Sequence, residues 1–196
     1  SAWQSAARPM EQISRDGGRL IAVSGSGEVR VWNLLDDAPV SRRITLDRPR
    51  GDVAAAALSA DGWRLVLGST TAGELRAFDL HDIAAQVPAV RLGGLNSPAE
   101  VLAVSADGAR VFAAGGTSVV GWRFSHGRLV GKPQVFAGHS ADVTDMVFAA
   151  CSEGQDDRWL VSGDSSGEVR MWELRGSGRK VLAGVKGGVR SLRASA

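Results

Sequence analysis

Cysteine is almost missing from this chain: Cys151 stands alone, so no disulfide can form within the 196 residues, and a reducing compartment is the better fit. Long apolar runs are missing too. None approaches the roughly 18 residues of a membrane-spanning helix, and no signal-peptide pattern stands at the start, so a cytoplasmic, non-membrane protein is expected. Lysine is scarce, with three residues against twenty arginines, and the arginines are scattered singly or in pairs. A net charge of +2 without a basic block makes no phosphate-binding stripe, and no nucleic-acid partner is expected. Histidine is limited to His81, His126 and His139, too dispersed along the chain to suggest a metal site with one cysteine. No motif calls for a cofactor.

What the chain does have is short apolar runs rich in Val, Trp and Phe, each bounded by Gly, Ser or Asp. From Gly138 to Leu174 three such runs follow one another: Val143 to Phe148, Trp159 to Gly163 and Glu168 to Leu174. This is the pattern of an antiparallel meander. The last run recurs as Glu28 to Leu34, Glu74 to Leu80 and Ser118 to Phe124, and the aromatic anchors Trp32, Phe78, Trp122 and Trp172 stand 46, 44 and 50 residues apart. Ser14-Arg15-Asp16-Gly17, Ser59-Ala60-Asp61-Gly62 and Ser105-Ala106-Asp107-Gly108 recur ahead of the preceding runs. Asp-Gly predicts two-residue hairpins with both central residues at positive φ. Each copy therefore reads as strands a, b, c and d, and residues 187–192 match the opening of a further copy at 141–146.

A Gly138-His139 pair followed by Ser162-Gly163 and an aromatic-acid pair, Trp172-Glu173, resembles the WD40 repeat, and the repetition makes the resemblance specific. It implies an all-β, WD40-type β-propeller: a partial ring of four four-stranded antiparallel blades plus the first strand of another. The blades are expected at 1–46, 47–93, 94–137 and 138–184, with an opening strand at 185–196. Rings of this kind have roughly six to eight blades, and each blade hides its faces only against its neighbours. The remaining blades are therefore expected in the same polypeptide or another chain. The resemblance also implies a structural hydrogen-bond chain of His139, Ser162 and Trp172, with Ser166 where an Asp is usual, and so a weakened brace. The histidine position holds Arg48 and Asn96 in the second and third copies.

Gly163-Asp164-Ser165-Ser166-Gly167 matches a nucleophile elbow in composition, but an elbow leads into a helix, and here an alternating strand follows. Gly127 to Lys132 is one residue short of a P-loop. The Glu-x-Arg pairs at Glu28 and Arg30 and at Glu168 and Arg170 recur by blade and read as scaffold. No catalytic residue is proposed. The family's loop rim, made of d–a and b–c loops, would carry Arg48, Arg50, Asp52, Asn96, Glu100, Asp142, Asp164 and Lys186 as binding candidates. The expected function is a non-catalytic scaffold or recognition propeller for a protein or peptide, part of a larger multidomain protein. The alternative is an enzyme or small-ligand binder at the central channel, where the innermost strands offer only Glu11, Asp145 and Arg190.

Overall fold

A computed structural model describes residues 10–35, 42–81, 86–149, 158–174, 179–182 and 184–193. Trp3, residues 36–39, Cys151 and residues 152–157 lie outside them. Among the described residues every regular element is a β-strand. The first blade holds β1 (Met10–Ile13), β2 (Arg19–Val23), β3 (Val29–Asn33) and β4 (Arg42–Leu46). The second holds β5 (Val53–Leu58), β6 (Arg64–Ser69), β7 (Leu75–Asp79) and β9 (Ala89–Arg91), with the short β8 (Gln86–Val87) between the last two. The third is β10 (Val101–Val104), β11 (Arg110–Gly115), β12 (Ser118–Ser125) and β13 (Arg128–Ala137). The fourth is β14 (Val143–Ala149), β15 (Trp159–Asp164), β16 (Val169–Glu173) and β17 (Arg179–Leu182).

Each blade is an antiparallel meander whose strands pair in chain order. The first gains a fifth strand, because β8, from the second blade's c–d connection, pairs in parallel with β4 through Thr45 to Gln86 and Leu46 to Val87. Val87, 1% exposed, anchors β8 in the core between the first two blades.

The a–b turns differ from expectation. Only their glycines, Gly17, Gly62 and Gly108, have positive φ, so Asp16, Asp61 and Asp107 do not form primed turns. Instead the glycine amide donates to the serine carbonyl three residues back, from Gly17 to Ser14, Gly62 to Ser59 and Gly108 to Ser105. Each serine hydroxyl donates to the aspartate carboxylate two residues on. The carboxylate also accepts the amide of Gly18, Trp63 or Ala109. These side-chain acceptors hold a wider turn with glycine in its last place, a geometry that suits type I turns. A hairpin with two positive φ angles does occur at His126-Gly127, with φ of 49° and 74°.

The first strands of the four blades, β1, β5, β10 and β14, lie side by side around a cavity of about 460 Å³. The blades pack face to face in a repeated way. Phe78 enters a cluster with Ile21, Val29 and Val31 of the first blade. Trp122 joins Val66, Leu75 and Ala77 of the second, and Trp172 joins Phe112, Ala114 and Val119 of the third. The anchors of the second, third and fourth blades are thus each buried against the blade before.

A polar clasp runs beside this packing. The first residue of strand b reaches to the next blade, with Arg19 Nη1 donating to the Gly62 carbonyl at 3.0 Å and Arg64 Nε to Gly108 at 3.3 Å. Arg110 Nη1 donates to Leu174 at 3.1 Å. In the fourth blade this position is Trp159. Beyond it, residues 185–193, expected as an opening strand, form none. A first strand is held by the second strand of its own blade, and among the described residues none pairs there. Val189 nevertheless sits against Gly163, its amide donating to the Asp164 carbonyl at 2.9 Å. Ala99 occupies the same place on Gly68, two blade junctions earlier.

Gly108 is held at φ +67°, and an added Cβ would stand 2.8 Å from Arg64 Cβ. Gly108→Ala should lower stability in thermal unfolding by about 1–2 kcal/mol or more, from left-handed backbone plus clash. Gly131→Ala, at φ +74° with nothing within 4 Å, should show the backbone part alone.

Candidate functional site

The fourth blade carries a chain of polar side chains through its apolar interface. His139, in the loop leading to β14, Ser162 and Asp164 on β15, and Trp172 on β16 are all buried, Ser162 and Asp164 completely. Trp172 Nε1 can only donate, and it does so to Ser162 Oγ at 2.8 Å. Ser162 then donates to His139 Nε2 at 2.7 Å, and His139 Nδ1–H donates to Asp164 Oδ2 at 2.8 Å. The Asp164 carboxylate, which only accepts, makes His139 Nδ1 the donor, and in the neutral imidazole Nε2 is then the acceptor for the Ser162 hydroxyl.

The acid stands two residues before its expected place. Ser166 was assigned the aspartate's position, but its hydroxyl instead donates to Asp164 Oδ1 at 2.6 Å. Asp164 Oδ1 also accepts the amides of Ser166 and Glu168, both at 3.0 Å. Carboxylate and hydroxyl have exchanged positions within one turn, so the brace keeps its charge. This corrects the expectation of a weakened brace. It also removes Asp164 from the binding rim, because both carboxylate oxygens are used inside the protein. Burial pushes the Asp164 carboxyl up, but hydrogen bonds from Ser166, His139 and the Glu168 amide outweigh it and hold the group below its usual range.

Serine, histidine and aspartate in sequence at these distances also have the connectivity of a hydrolytic triad. Accessibility separates the two readings. Ser162 Oγ has no exposure and spends a lone pair on the indole N–H, so no substrate carbonyl can reach it. The nucleophile-elbow candidate Ser165 is exposed, but it lies in the tight turn between β15 and β16, not before a helix.

The other blades solve the same junction without the histidine. In the second, Ser69 Oγ donates to the Arg50 carbonyl. In the third, Trp122 Nε1 donates to the Gly93 carbonyl at 2.9 Å. The recurring acid-arginine pairs stay within strand c: Glu28 with Arg30, Glu74 with Arg76 and Glu168 with Arg170. Arg76 is only 3% exposed, lying between blades rather than forming a ledge for ligand.

Backbone latches gather the d–a loops and b–c turns on one rim: Val53 to Gly25, Thr70 to Asp52, Val143 to Gly116 and Ser165 to Asp142. Arg48, Arg50, Asp52, Asn96, Glu100, Asp142 and Lys186 are all exposed there. Some are already engaged, since Arg48 Nη1 donates to the Ser26 carbonyl and the Arg50 amide donates to Glu74. The rim mixes both charges.

The central cavity is lined by Ala57, Leu58, Leu102, Ala103, Met146 and Phe148, among others, with Gln12 and Arg15 as its polar side chains. That lining offers no carboxylate or imidazole for acid-base work. Among the described residues no three of His, Cys, Asp or Glu gather as metal ligands.

Four meander blades side by side around a central cavity define a partial β-propeller. No known protein-family profile matches the chain. Among solved structures it is similar to the one titled "Structure of U3-55K", at 16% identity and a TM-score of 0.66, covering 94% of this chain and 55% of that one. That likeness is one of fold, and the chain spans about half the length of its structural neighbour.

His139→Ala should cost about 1–3 kcal/mol, because Ser162 and Asp164 lose a buried partner. The acid limb follows from Asp164. Its folded pKa lies below the unfolded value near 4, so its stabilisation is present above that pH and is lost as pH falls through the depressed folded value. Asp164→Asn should therefore lower the melting temperature at pH 7 and narrow the difference from wild type toward pH 2, read by circular dichroism.

Proposed function

We propose that this chain is part of a larger WD40-type propeller that acts as a non-catalytic scaffold for a protein or peptide partner. In this reading the repeats are 1–46, 47–93, 94–137 and 138–184. The stretch at 185–196 leads toward a further blade, and the rest of the ring comes from the same polypeptide or another chain. The loop rim, without Asp164, is the contact face.

The observation that carries the reading is the state of the four anchors. Phe78, Trp122 and Trp172 are 0%, 2% and 3% exposed, each covered by the blade before it. Trp32, at the same position in the first blade, is only half-buried, and Ile13 beside it is 61% exposed. At the other end Val147, Trp159, Val161, Val169 and Met171 share the far face of the fourth blade and are likewise half-buried. One end thus has an anchor lacking a groove, the other a groove lacking an anchor. A scaffold role is supported over an enzyme by the apolar central lining and by the burial of the Ser-His-Asp group.

Light scattering of the isolated chain at micromolar concentration should show self-association and dye binding by exposed apolar surface. A well-folded, dispersed monomer without partners would refute the open-ring reading. Phe78→Ala should cost about 3–5 kcal/mol, as for deeply buried aromatics. Trp32→Ala should cost less than half of that in the isolated chain, measured by denaturant unfolding.

A further inference from the structure

We infer that the outer edge of the third blade, together with a cation-lined pocket beside it, binds an acidic peptide in extended conformation. The inference rests on the reading of the propeller as a protein scaffold and adds to it a second face and a partner chemistry.

The edge is unusual within this molecule. β13 runs for ten residues, Arg128–Ala137, and ends its sheet, with no strand on its outer side among the described residues. Its side chains are exposed from Arg128 to Val135, including Leu129 at 38%, Val130 at 43% and Val135 at 60%. An open strand edge offers main-chain donors and acceptors to any extended chain. The equivalent strand of the first blade, β4, already takes one, since Gln86–Val87 lies along it. The same position in the fold is therefore competent for strand addition.

Charge selects the kind of peptide. A bulge between Gly121 and Arg123, with Gly131 turned to φ +74° opposite, opens a pocket of about 270 Å³. Arg123 and Lys132 line it with Gln134, over Phe112 and beside Arg110, whose Nη1 donates to the Leu174 carbonyl, and among the described residues no carboxylate contributes. Arg110 and Arg123 are direct cross-strand partners. A carboxylate seated in the pocket pairs with the exposed Arg123 and Lys132 side chains. From Ser118 to Ala137 the hairpin contains three cationic residues, Arg123, Arg128 and Lys132, and no acidic one. Gly131 and Pro133 break the edge into two short ladders on either side of the pocket. An extended peptide crossing that break pairs with the edge on both sides and sets a carboxylate into the pocket, its apolar side chains meeting Leu129 and Val135 on the other face.

The test is fluorescence anisotropy with a fluorescein-labelled octapeptide of alternating Glu and Val, titrated with the intact chain. Binding is expected, with little for the Lys-Val counterpart. The double variant Arg123→Glu, Lys132→Glu changes two exposed side chains and should weaken binding about tenfold or more at unchanged melting temperature. A backbone N-methylated Glu-Val peptide should lose binding as well, because it cannot pair with the edge. Equal binding of the Lys-Val peptide, an unaffected double variant, or no binding would each overturn the inference. Full binding of the N-methylated peptide, or complete competition by inorganic phosphate at the peptide's own affinity, would reduce the pocket to a free-anion site and overturn it too. Light scattering of the same variants reads ring incompleteness separately, and neither charge change should alter it.

Discussion

The handing of each aromatic anchor to the preceding blade is the constraint from which the rest of this structure follows. A four-stranded sheet of Val, Leu and Trp has two apolar faces, and neither is covered within its own meander. Face-to-face stacking removes both from water, each large side chain gaining on the order of 1.5–3 kcal/mol from full burial. Close approach then dictates the small residues: Gly68 and Gly163 stand where Ala99 and Val189 of the following segment press against the sheet. The arginine clasp from strand b to the next blade satisfies carbonyls at the periphery of the same interfaces.

Most polar groups that enter these interfaces are satisfied, although Arg64 Nη1 and Arg76 Nε are buried without a hydrogen-bond partner. The chain from Trp172 to Asp164 is the fullest case, with donors and acceptors matched from one end to the other. It uses the residues of a hydrolytic triad without the property that makes one, access for a substrate. Where histidine is missing, a backbone carbonyl closes the junction, as Arg50 does for Ser69 and Gly93 for Trp122. The blades are therefore alike in packing while differing in how each loop is tied down.

Much of the scaffold could be read from residue order, because alternating apolar residues with a recurrent aromatic leave little choice of element. β14, β15 and β16 begin and end within one residue of the apolar runs at 143–148, 159–163 and 168–174. The turns were harder. Asp-Gly signals a two-residue hairpin, yet a serine two residues earlier competes for the carboxylate and widens the loop. The two-residue turn went to His126-Gly127, which carries no such serine. The arginine clasp left a signal that was passed over, an Arg two residues after each Asp-Gly pair, at positions 19, 64 and 110. β8 left almost none, since a two-residue strand added in parallel depends on where β4 lies and not on its own sequence.

The sequence alone determined that this chain is a run of similar β-meanders, because periodic burial is written into every copy. It also located the histidine, serine and tryptophan of the buried brace. Only the tertiary structure decided which acid completes that brace, Asp164 or a substitute at 166. Asp164 meets the imidazole while the Ser166 hydroxyl turns to the carboxylate instead, so geometry, not spacing, selects between residues two apart in one turn. It likewise decided which edges and faces stay uncovered, since exposure belongs to the assembled blades and not to any one of them.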